Sequence, residues 1–439
     1  MKKTTLITLL LITFFCLPLV AQTNYYVKVG GDGTDGLTEA TAFTNINDAA
    51  LVAANGDTII LVGALNQSGT VGIAKSLSFV GQSNAVVTAT ATSRMYNISS
   101  GGLTVSFDNI TFQNANTSLQ GAVINLTQAS DLTITDCIFK NNATSANGGA
   151  ILAGSTGTLT VTGSIFNGNS GVRGGAIAIT QTTRQLVLSG CTFVNNTATG
   201  NDGGALYLGG ANASSSITNT TIFNNTVINS TLNQSKGGGI RLEGARPFTI
   251  SNSLIYGNFV DDGNGGTAIS DIGLTPATAV TLDHSIAQNI EPALDDTAGD
   301  VFTSSIVEAD LSASNLMFNE TSGYVEYVAV SGSTDSPIDF GSDGNDAGSW
   351  DSGLVLSLDE ELQSNVSVYV NKNSKTIEIK HDLNENLSVV LFNILGSRIM
   401  DVTNIQKSHS LNVSHLTKGI YILVGKSSGN YFSKKILIY

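Results

Sequence analysis

Short apolar stretches, separated by Gly, Asn and Ser, recur along the middle of the chain at a nearly constant interval. The repeating unit reads L-T-[IV]-T-x-x-x-F-x-N-N, followed by a variable polar loop and G-G-A-[IL]. Its aromatic position is occupied by Phe112, Phe139, Phe166 and Phe193, each 27 residues after the previous one. Apolar stretches of a few residues with turn residues between them are typical of β-strands parted by tight turns.

A repeat of this length has no room for crossover helices, and it cannot bury its apolar residues alone. Stacked as successive coils, each strand pairs with its copies above and below, so the sequence predicts an all-β parallel solenoid. Before the repeats, residues 46–54 have helical spacing, with Thr44 as the N-cap and Gly56 ending the segment. We expect this helix to cap the first coil and protect it from edge pairing.

The repeat also predicts which side chains share a face. Alternation along the strand after each Gly pair sends one residue inward and the next outward. The inward residues are Ile151, Ile177, Leu206 and Ile240, and the outward residues are Leu152, Ala178, Tyr207 and Arg241. The second Asn of each unit can stack its side-chain amide along the axis. These residues are Asn142, Asn169, Asn196, Asn225 and Asn258.

Two cysteines test this register. Cys137 and Cys191 both lie two positions before the repeat aromatic, and Ser164 occupies that position in the coil between them. They should lie about 9–10 Å apart, which is two strand spacings. That separation exceeds the roughly 7 Å Cα limit for a disulfide. We therefore predict two unpaired, buried thiols.

The charge is distributed unevenly along the 439 residues. The formal net charge is -14, but residues 22–365 carry 9 basic and 30 acidic groups, whereas residues 366–439 carry 9 basic and 4 acidic groups. A body with a charge near -21 repels phosphate backbones and anionic lipid surfaces. Nucleic acid is therefore not expected as a partner.

The N-terminus has the pattern of a secretory signal. Lys2 and Lys3 precede an apolar run from residue 6 to 20, and Ala21 provides a small residue for cleavage. No other segment is long and apolar enough to span a bilayer, so we expect no transmembrane segment in the mature chain. The predicted organisation is a signal peptide at 1–21, a β-helix at 22–350, a linker at 351–365 and a separate β-domain at 366–439.

Two parts of the chain resemble known families. Residues 24–59, with the runs Tyr25-Tyr26-Val27 and Asn55-Gly56-Asp57-Thr58-Ile59, look like the start of pectate-lyase-like right-handed parallel β-helices. The F-x-N-N and G-G-A-I units resemble those of polymorphic outer-membrane-protein-type β-helices. This resemblance implies a right-handed solenoid and leaves the function open, because the same coil hosts lyases, hydrolases and adhesins.

The C-terminal 74 residues resemble the sorting domain of the type IX secretion system of Bacteroidetes. Their alternating, Lys-rich strands include Leu387-Ser388-Val389-Val390 and end with Lys434-Lys435-Ile436-Leu437-Ile438. The Pro-Asn-Pro usual near the start of that domain is here Val370-Asn371-Lys372. The resemblance implies a small β-sandwich, the type IX machinery as a partner, and a secreted or cell-surface location. The alternative is a generic accessory module such as a sugar-binding β-sandwich.

The residues immediately before the Gly pairs form the most informative set of polar positions. They are Asn147, Arg173, Asp202, Lys236 and Asn264. Adjacent coils place Arg173, Asp202 and Lys236 about 5 Å apart, near outward Tyr207 and Arg241. Such a strip could bind an anionic sugar, with Tyr207 as a stacking platform. It could also serve a lyase, with Lys236 or an Arg abstracting a proton α to a carboxylate. The third interpretation is a surface charge ladder without a ligand.

No cofactor is expected apart from structural calcium, for which Gly-rich loops offer candidate carboxylates. The candidates are Asp32, Asp35, Asp261, Asp262, Asp339, Asp343 and Asp346. Asp and Gly are also ordinary turn residues. The leading interpretation is a secreted or surface-displayed β-helix that is adhesin-like or binds polysaccharide. The alternative is a carbohydrate-active enzyme, a polysaccharide lyase or a glycoside hydrolase.

Overall fold

The computed structural model describes most of the chain between residues 22 and 303, and most of the C-terminal domain. The described residues run from 22 to 291 without 182, 201, 213, 229–235, 245–247, 276, 277 and 279; the strands at 301–303, 316–319 and 324–327 follow, and then 366–371, 375–382, 386–393, 398–414, 416, 419–427 and 430–438. The predicted signal peptide (1–21) and linker (351–365), and the calcium candidates Asp339, Asp343 and Asp346, lie outside these residues.

Three sheets run along the solenoid and pair almost entirely in parallel. The first sheet contains Asn24–Lys28, Thr58–Gln67, Ser78–Ala89, Thr104–Asp108, Thr111–Gln113, Asp131–Thr135, Ile138–Lys140, Gly157–Thr162, Ile165–Asn167, Arg184–Ser189, Thr192–Val194, Ser216–Thr218, Thr221–Phe223, Phe248–Ser251, Leu254–Tyr256, Val280–Asp283, Ile286–Ala287 and Val301–Thr303. The second contains Val71–Ile73, Tyr96–Ile98, Ile124–Leu126, Ile151–Ala153, Ile177–Ile179, Leu206–Leu208, Ile240–Leu242, Ile272–Leu274 and Ile290–Glu291.

The third sheet is made of short strands that follow the asparagine pairs. Its members are Asn116–Thr117, Ala143–Thr144, Ser170–Gly171, Thr197–Ala198, Thr226–Val227, Phe259–Asp261 and Thr267–Ile269. The last two of these strands pair antiparallel, so the chain doubles back at this point. Because strands of successive repeats pair residue by residue, for example Phe139 with Phe166, the structure confirms the predicted parallel β-helix.

The N-terminal cap is the one helix among the described residues, at Ile46–Val52. Its N-cap is Asn45, whose side chain accepts the backbone N–H of Asp48. The predicted Thr44 is therefore wrong by one position, since Asn serves as an N-cap as well as Thr does. The described residues contain no helix of the length and apolar character that a membrane span requires.

Two kinds of turn residue explain the repeat. The first Asn of the F-x-N-N motif adopts a left-handed backbone at Asn141, Asn195 and Asn224, which Asn tolerates better than most residues. The second Gly of the first four Gly pairs (Gly149, Gly175, Gly204 and Gly238) lies against the next coil. A Cβ on Gly175 would stand 2.1 Å from the carbonyl oxygen of Gly204, so a side chain has no room there.

The solenoid interior is filled by columns of similar apolar side chains. The rings of Phe139, Phe166 and Phe193 stack in succession with centroid separations of 4.6 Å. The four residues predicted to point inward belong to this main core. Leu152, Ala178 and Tyr207 form a separate small cluster, as alternation requires, but they are buried rather than open to solvent.

The asparagine column forms a continuous hydrogen-bonded ladder. Each side-chain amide donates to the amide oxygen of the next coil, at 3.0 Å from Asn142 to Asn169 and at 2.9 Å along the next three steps to Asn258. Each Oδ1 also accepts the backbone N–H of the preceding asparagine. All five side chains are fully buried, so the ladder satisfies polar groups that water cannot reach.

The cysteine prediction is confirmed. Cys137 and Cys191 are free and buried, and the backbone N–H of Cys137 donates to the Ser164 hydroxyl in the intervening coil. Burial raises the pKa of both thiols to about 12.

Sequence reasoning did not predict the fully buried Arg184, whose guanidinium donates to the backbone carbonyls of four residues in two neighbouring coils. These residues are Gln128, Ser130, Ser155 and Thr156.

The C-terminal domain is an antiparallel two-sheet sandwich. One sheet contains Val366–Asn371, Thr376–His381 and Ser408–Asn412. The other contains Arg398–Ile405, Leu387–Asn393, Gly419–Ser427 and Asn430–Ile438. Ile377 and Ile379 from the first sheet share one core with Val389, Leu391 and Leu423 from the second. This confirms the predicted small β-sandwich. A further antiparallel pair joins Leu316–Asn319 to Tyr324–Tyr327.

Candidate functional site

The residues before the Gly pairs are stacked by backbone hydrogen bonds. The N–H of Gly174 donates to the carbonyl of Asp202 at 3.1 Å, and that of Gly203 donates to the carbonyl of Lys236 at 3.0 Å. The N–H of Gly148 reaches Arg173 in the same way at 3.0 Å. Three successive coils therefore present their variable residues on one line, as the repeat predicts.

Their side chains meet around one carboxylate. Asp202 keeps 6% of its side chain exposed and contacts three cations. Nε of Arg173 lies 3.5 Å from Oδ2, while Nζ of Lys236 and Nε of Arg241 lie 3.6 and 3.9 Å from Oδ1. The three cations surround the nearly buried carboxylate, and their opposite charge offsets part of the cost of removing it from water.

Glu243 joins the five residues that the sequence predicted for this site, and the sequence analysis did not predict it. Its Oε1 lies 3.4 Å from Nε of Arg241, and its Oε2 accepts the hydroxyl of Tyr207 at 2.7 Å. Burial and this hydrogen bond raise the pKa of Tyr207 to about 12. Glu243 lies two residues after Arg241, so alternation along the strand would have placed it on the same face. We name Arg173, Asp202, Tyr207, Lys236, Arg241 and Glu243 the ion cluster.

The predicted role of Tyr207 needs correction. Only 5% of the residue is exposed, and the guanidinium of Arg173 lies 5.1 Å from the ring centroid. The ring face is therefore engaged in a cation–π contact and is not open for a sugar to stack on. Alternation gave the direction of the side chain correctly but could not show that a residue from the preceding coil covers it.

The ion cluster concentrates positive charge on an acidic body. It contains three of the nine basic residues present in 22–365, together with two carboxylates, and so carries a net charge of +1. Arg173 is 40% exposed and Lys236 is 19% exposed. Within the described part of the chain, neither side chain donates a hydrogen bond to protein, because their contacts to Asp202 are ion pairs of 3.5 and 3.6 Å.

Two other predicted members lie apart from the ion cluster. Asn264 belongs to the loop of the antiparallel hairpin, where its N–H donates to Oδ1 of Asp262. The backbone carbonyl of Asn147 accepts the N–H of Gly121, which continues the stack of coils away from the three cations.

His284 adopts a left-handed turn conformation, and its Nδ1 lies 2.7 Å from Oδ1 of Asp283.

The four described calcium candidates each bind their own loop. Asp32 and Asp35 accept the N–H groups of Thr34 and Leu37 at 2.9 Å. Asp261 and Asp262 accept N–H groups within residues 263–266. Searching the described residues finds no group of three or more His, Cys, Asp or Glu side chains arranged for a metal ion. These carboxylates stabilise turns, and the calcium hypothesis stays a prediction.

Comparison with known proteins explains the C-terminal domain. Residues 367–439 match the family described as the secretion system C-terminal sorting domain. A search of the curated proteins found no match to the chain. The match confirms the predicted type IX sorting signal, which implies interaction with the secretion machinery. The protein therefore carries a type IX C-terminal sorting domain, and it is secreted or attached to the cell surface.

Proposed function

We propose that the β-helix is a rigid extracellular binding domain that recognises an acidic polysaccharide at the ion cluster. The observation that carries this proposal is the pair of partly exposed cations, Arg173 and Lys236, whose N–H groups are not used by the described protein groups. Carboxylate or sulfate groups are the natural acceptors for such donors, and charge-assisted hydrogen bonds are about twice as strong as neutral ones.

The scaffold supports binding by preorganisation. Asp202 fixes the two cations on either side of it, and Arg173 is further held over the ring of Tyr207. Because these side chains are ordered before the ligand arrives, less conformational entropy is lost on binding. The same contacts favour recognition through charge over ring stacking, since the aromatic face is already covered.

The repulsive charge of the surrounding body favours a specific ligand. An anionic polymer is repelled by a β-helix with a charge near -21 except where cations protrude, so binding to the β-helix should depend strongly on the ion cluster. The lyase alternative requires a nitrogen that abstracts a proton. The ion pair of Lys236 with Asp202 keeps its amine close to a carboxylate, which favours anion binding over proton abstraction.

The test compares binding of the purified full-length protein to polygalacturonate, dextran sulfate and neutral dextran. Removing both donors in the double variant Arg173→Ala and Lys236→Ala should weaken binding to the acidic polymers at least tenfold. Each charge-assisted bond is worth about 1.5–3 kcal/mol, and about 1.4 kcal/mol is a factor of ten. Added salt should weaken the wild-type interaction as well, because the cations are partly exposed.

The matched control is Lys140→Ala, which removes a cation from the strand Ile138–Lys140 on the first sheet. Binding by this variant should equal that of the wild type. Equal losses in both variants, or equal affinity for neutral and acidic dextrans, would contradict the proposal. Ultraviolet-absorbing unsaturated products in the same samples, lost on Lys236→Ala, would favour the lyase instead.

A further inference from the structure

The two carboxylates of the ion cluster lie in different surroundings. Asp202 has 6% of its side chain exposed, and its two oxygens face three cations. The Glu243 side chain is 30% exposed. Its Oε1 accepts the Nε–H of Arg241 at 3.4 Å, and its Oε2 accepts the hydroxyl of Tyr207 at 2.7 Å. Glu243 is therefore the more accessible of the two carboxylates.

Both donors have other contacts that fix their positions. Nε of Arg241 also lies 3.9 Å from Oδ1 of Asp202, and its Nη1 donates to the carbonyl of Leu274 at 3.3 Å. The ring of Tyr207 is buried, with the guanidinium of Arg173 5.1 Å from its centroid. The two donors would therefore stay in place if their present acceptor left. A pair that is preorganised in this way loses little conformational entropy when it binds a new acceptor.

The backbone of Glu243 is fixed to the neighbouring coils. Its N–H donates to the carbonyl of Leu208 at 3.4 Å, and the N–H of Gly244 donates to the hydroxyl of Thr275 at 3.2 Å. The carbonyl of Gly244 accepts the hydroxyl of Thr278 at 2.8 Å. The carboxylate can therefore leave its donors by rotation of the side chain alone, a motion that exposed side chains make rapidly.

The chemistry of the two donors selects the group that can replace Glu243. Each donor holds one oxygen of the same carboxylate. A carboxylate from a ligand would conserve both hydrogen bonds and the negative charge beside Arg241. A neutral sugar hydroxyl would not supply that charge, and hydrogen bonds to ionised groups are stronger than those between neutral groups. The pair therefore favours a carboxylate over a neutral group.

We propose that Arg241 and Tyr207 form a carboxylate-binding pair, which Glu243 occupies in the free protein and which a uronate carboxylate of the bound polysaccharide takes over. This inference rests on the proposed function and adds to it the chemical class of the ligand, a polymer that contains uronic acids. Arg173 and Lys236 bind neighbouring anionic groups of the polymer. Glu243 thus competes with the ligand, and its removal should strengthen binding.

Binding of the full-length protein to polygalacturonate tests the exchange. Glu243→Gln removes the competing charge and should strengthen binding about fivefold, the effect expected for one partly exposed ion pair. The matched control is Glu39→Gln, which removes the same charge from the exposed ion pair of Glu39 with Lys28. Its affinity should stay within about twofold of the wild type, because distant surface charges are screened. Equal gains in the two variants, or no gain in Glu243→Gln, would overturn the proposal.

Two further measurements show whether the carboxylate reaches the pair. Adding Tyr207→Phe to Glu243→Gln removes only the hydroxyl and should weaken binding about tenfold, because the lost hydrogen bond is to an ionised group. Fully methyl-esterified polygalacturonate carries no carboxylate and should bind Glu243→Gln no better than the wild type. Unchanged affinity after Tyr207→Phe, or the same gain with the esterified polymer, would contradict the exchange.

The double variant Arg173→Ala and Lys236→Ala separates this proposal from the proposed function. Loss of binding in the double variant, without a gain in Glu243→Gln, would refute the exchange and leave the function intact. Absence of binding in both the wild type and Glu243→Gln would refute the two together.

Discussion

A substitution inside the asparagine ladder tests whether the hydrogen bonds of the ladder stabilise the solenoid. The Asn196 side chain makes four hydrogen bonds while fully buried. Its amide nitrogen donates to the carbonyl of Phe166 and to Oδ1 of Asn225, both at 2.9 Å. Its Oδ1 accepts the backbone N–H and the side-chain amide of Asn169 at 3.0 and 2.9 Å. Asn196→Ala removes all four bonds at once.

The expected loss of stability follows from the polar groups that the substitution leaves without a hydrogen-bond partner. The substitution strands the backbone N–H of Asn169 and one N–H of its side chain. The carbonyl of Phe166 loses one donor but lies within a strand that still pairs with the next coil, and Oδ1 of Asn225 keeps the backbone N–H of residue 196. A buried polar group without a partner costs about 1–3 kcal/mol. Two such groups should lower the free energy of unfolding by about 2–6 kcal/mol.

Urea unfolding followed by circular dichroism, together with local hydrogen exchange across residues 165–198, measures this loss. The local readout matters because repeats of a solenoid can open separately. The matched control is Asn195→Gly, which changes the neighbouring asparagine at a φ of 56° that Gly adopts freely. Its cost should stay near or below about 1 kcal/mol. Equal costs for the two substitutions would refute the idea that the ladder stabilises the fold.

Two further predictions concern buried positions in the repeat. Cys137 and Cys191 should resist a thiol reagent in the folded protein at neutral pH and react after unfolding, because burial raises the pKa of both to about 12; rapid labelling of the folded chain would contradict this. Gly204→Ala places a Cβ 1.9 Å from the carbonyl oxygen of Gly238 and should lower the thermal midpoint strongly. Gly72→Ala meets no atom within 4 Å and should leave the midpoint nearly unchanged.

The sequence predicted the parts of the fold that obey strict local requirements in every coil. Phe166 and its copies must fill the same space, Asn169 and its copies must satisfy the same backbone groups, and Gly175 must avoid the backbone of the next coil. Each requirement recurs with the repeat, so it leaves a periodic signal. The same register correctly predicted the buried, unpaired Cys137 and Cys191.

Residues that occur once escaped prediction. Arg184 and Asp271 are buried ionisable side chains. Alternation along Arg184–Ser189 places Arg184 on the inward face, but an arginine there gives no sign of the carbonyl groups that it binds. Their environments arise from loops of neighbouring coils, which pattern reasoning cannot bring together. In the ion cluster, the column of Arg173, Asp202 and Lys236 was predictable from the register, but the covering of Tyr207 depends on the length and rotamer of one side chain.

The position before the Gly pair explains how one rigid coil can carry a specific site. Its backbone carbonyl takes part in coil stacking, and that bond forms equally with Arg173, Asp202 or Lys236. Side chains there can vary without disturbing the core, whereas the ladder asparagines cannot. Stacking then brings two cations and one carboxylate of this column together, beside Arg241 and Glu243, on a body that is otherwise strongly acidic. The scaffold thus determines the spacing of the charges, and the variable position determines their signs. Ligand preference should therefore change through this column while the fold stays the same.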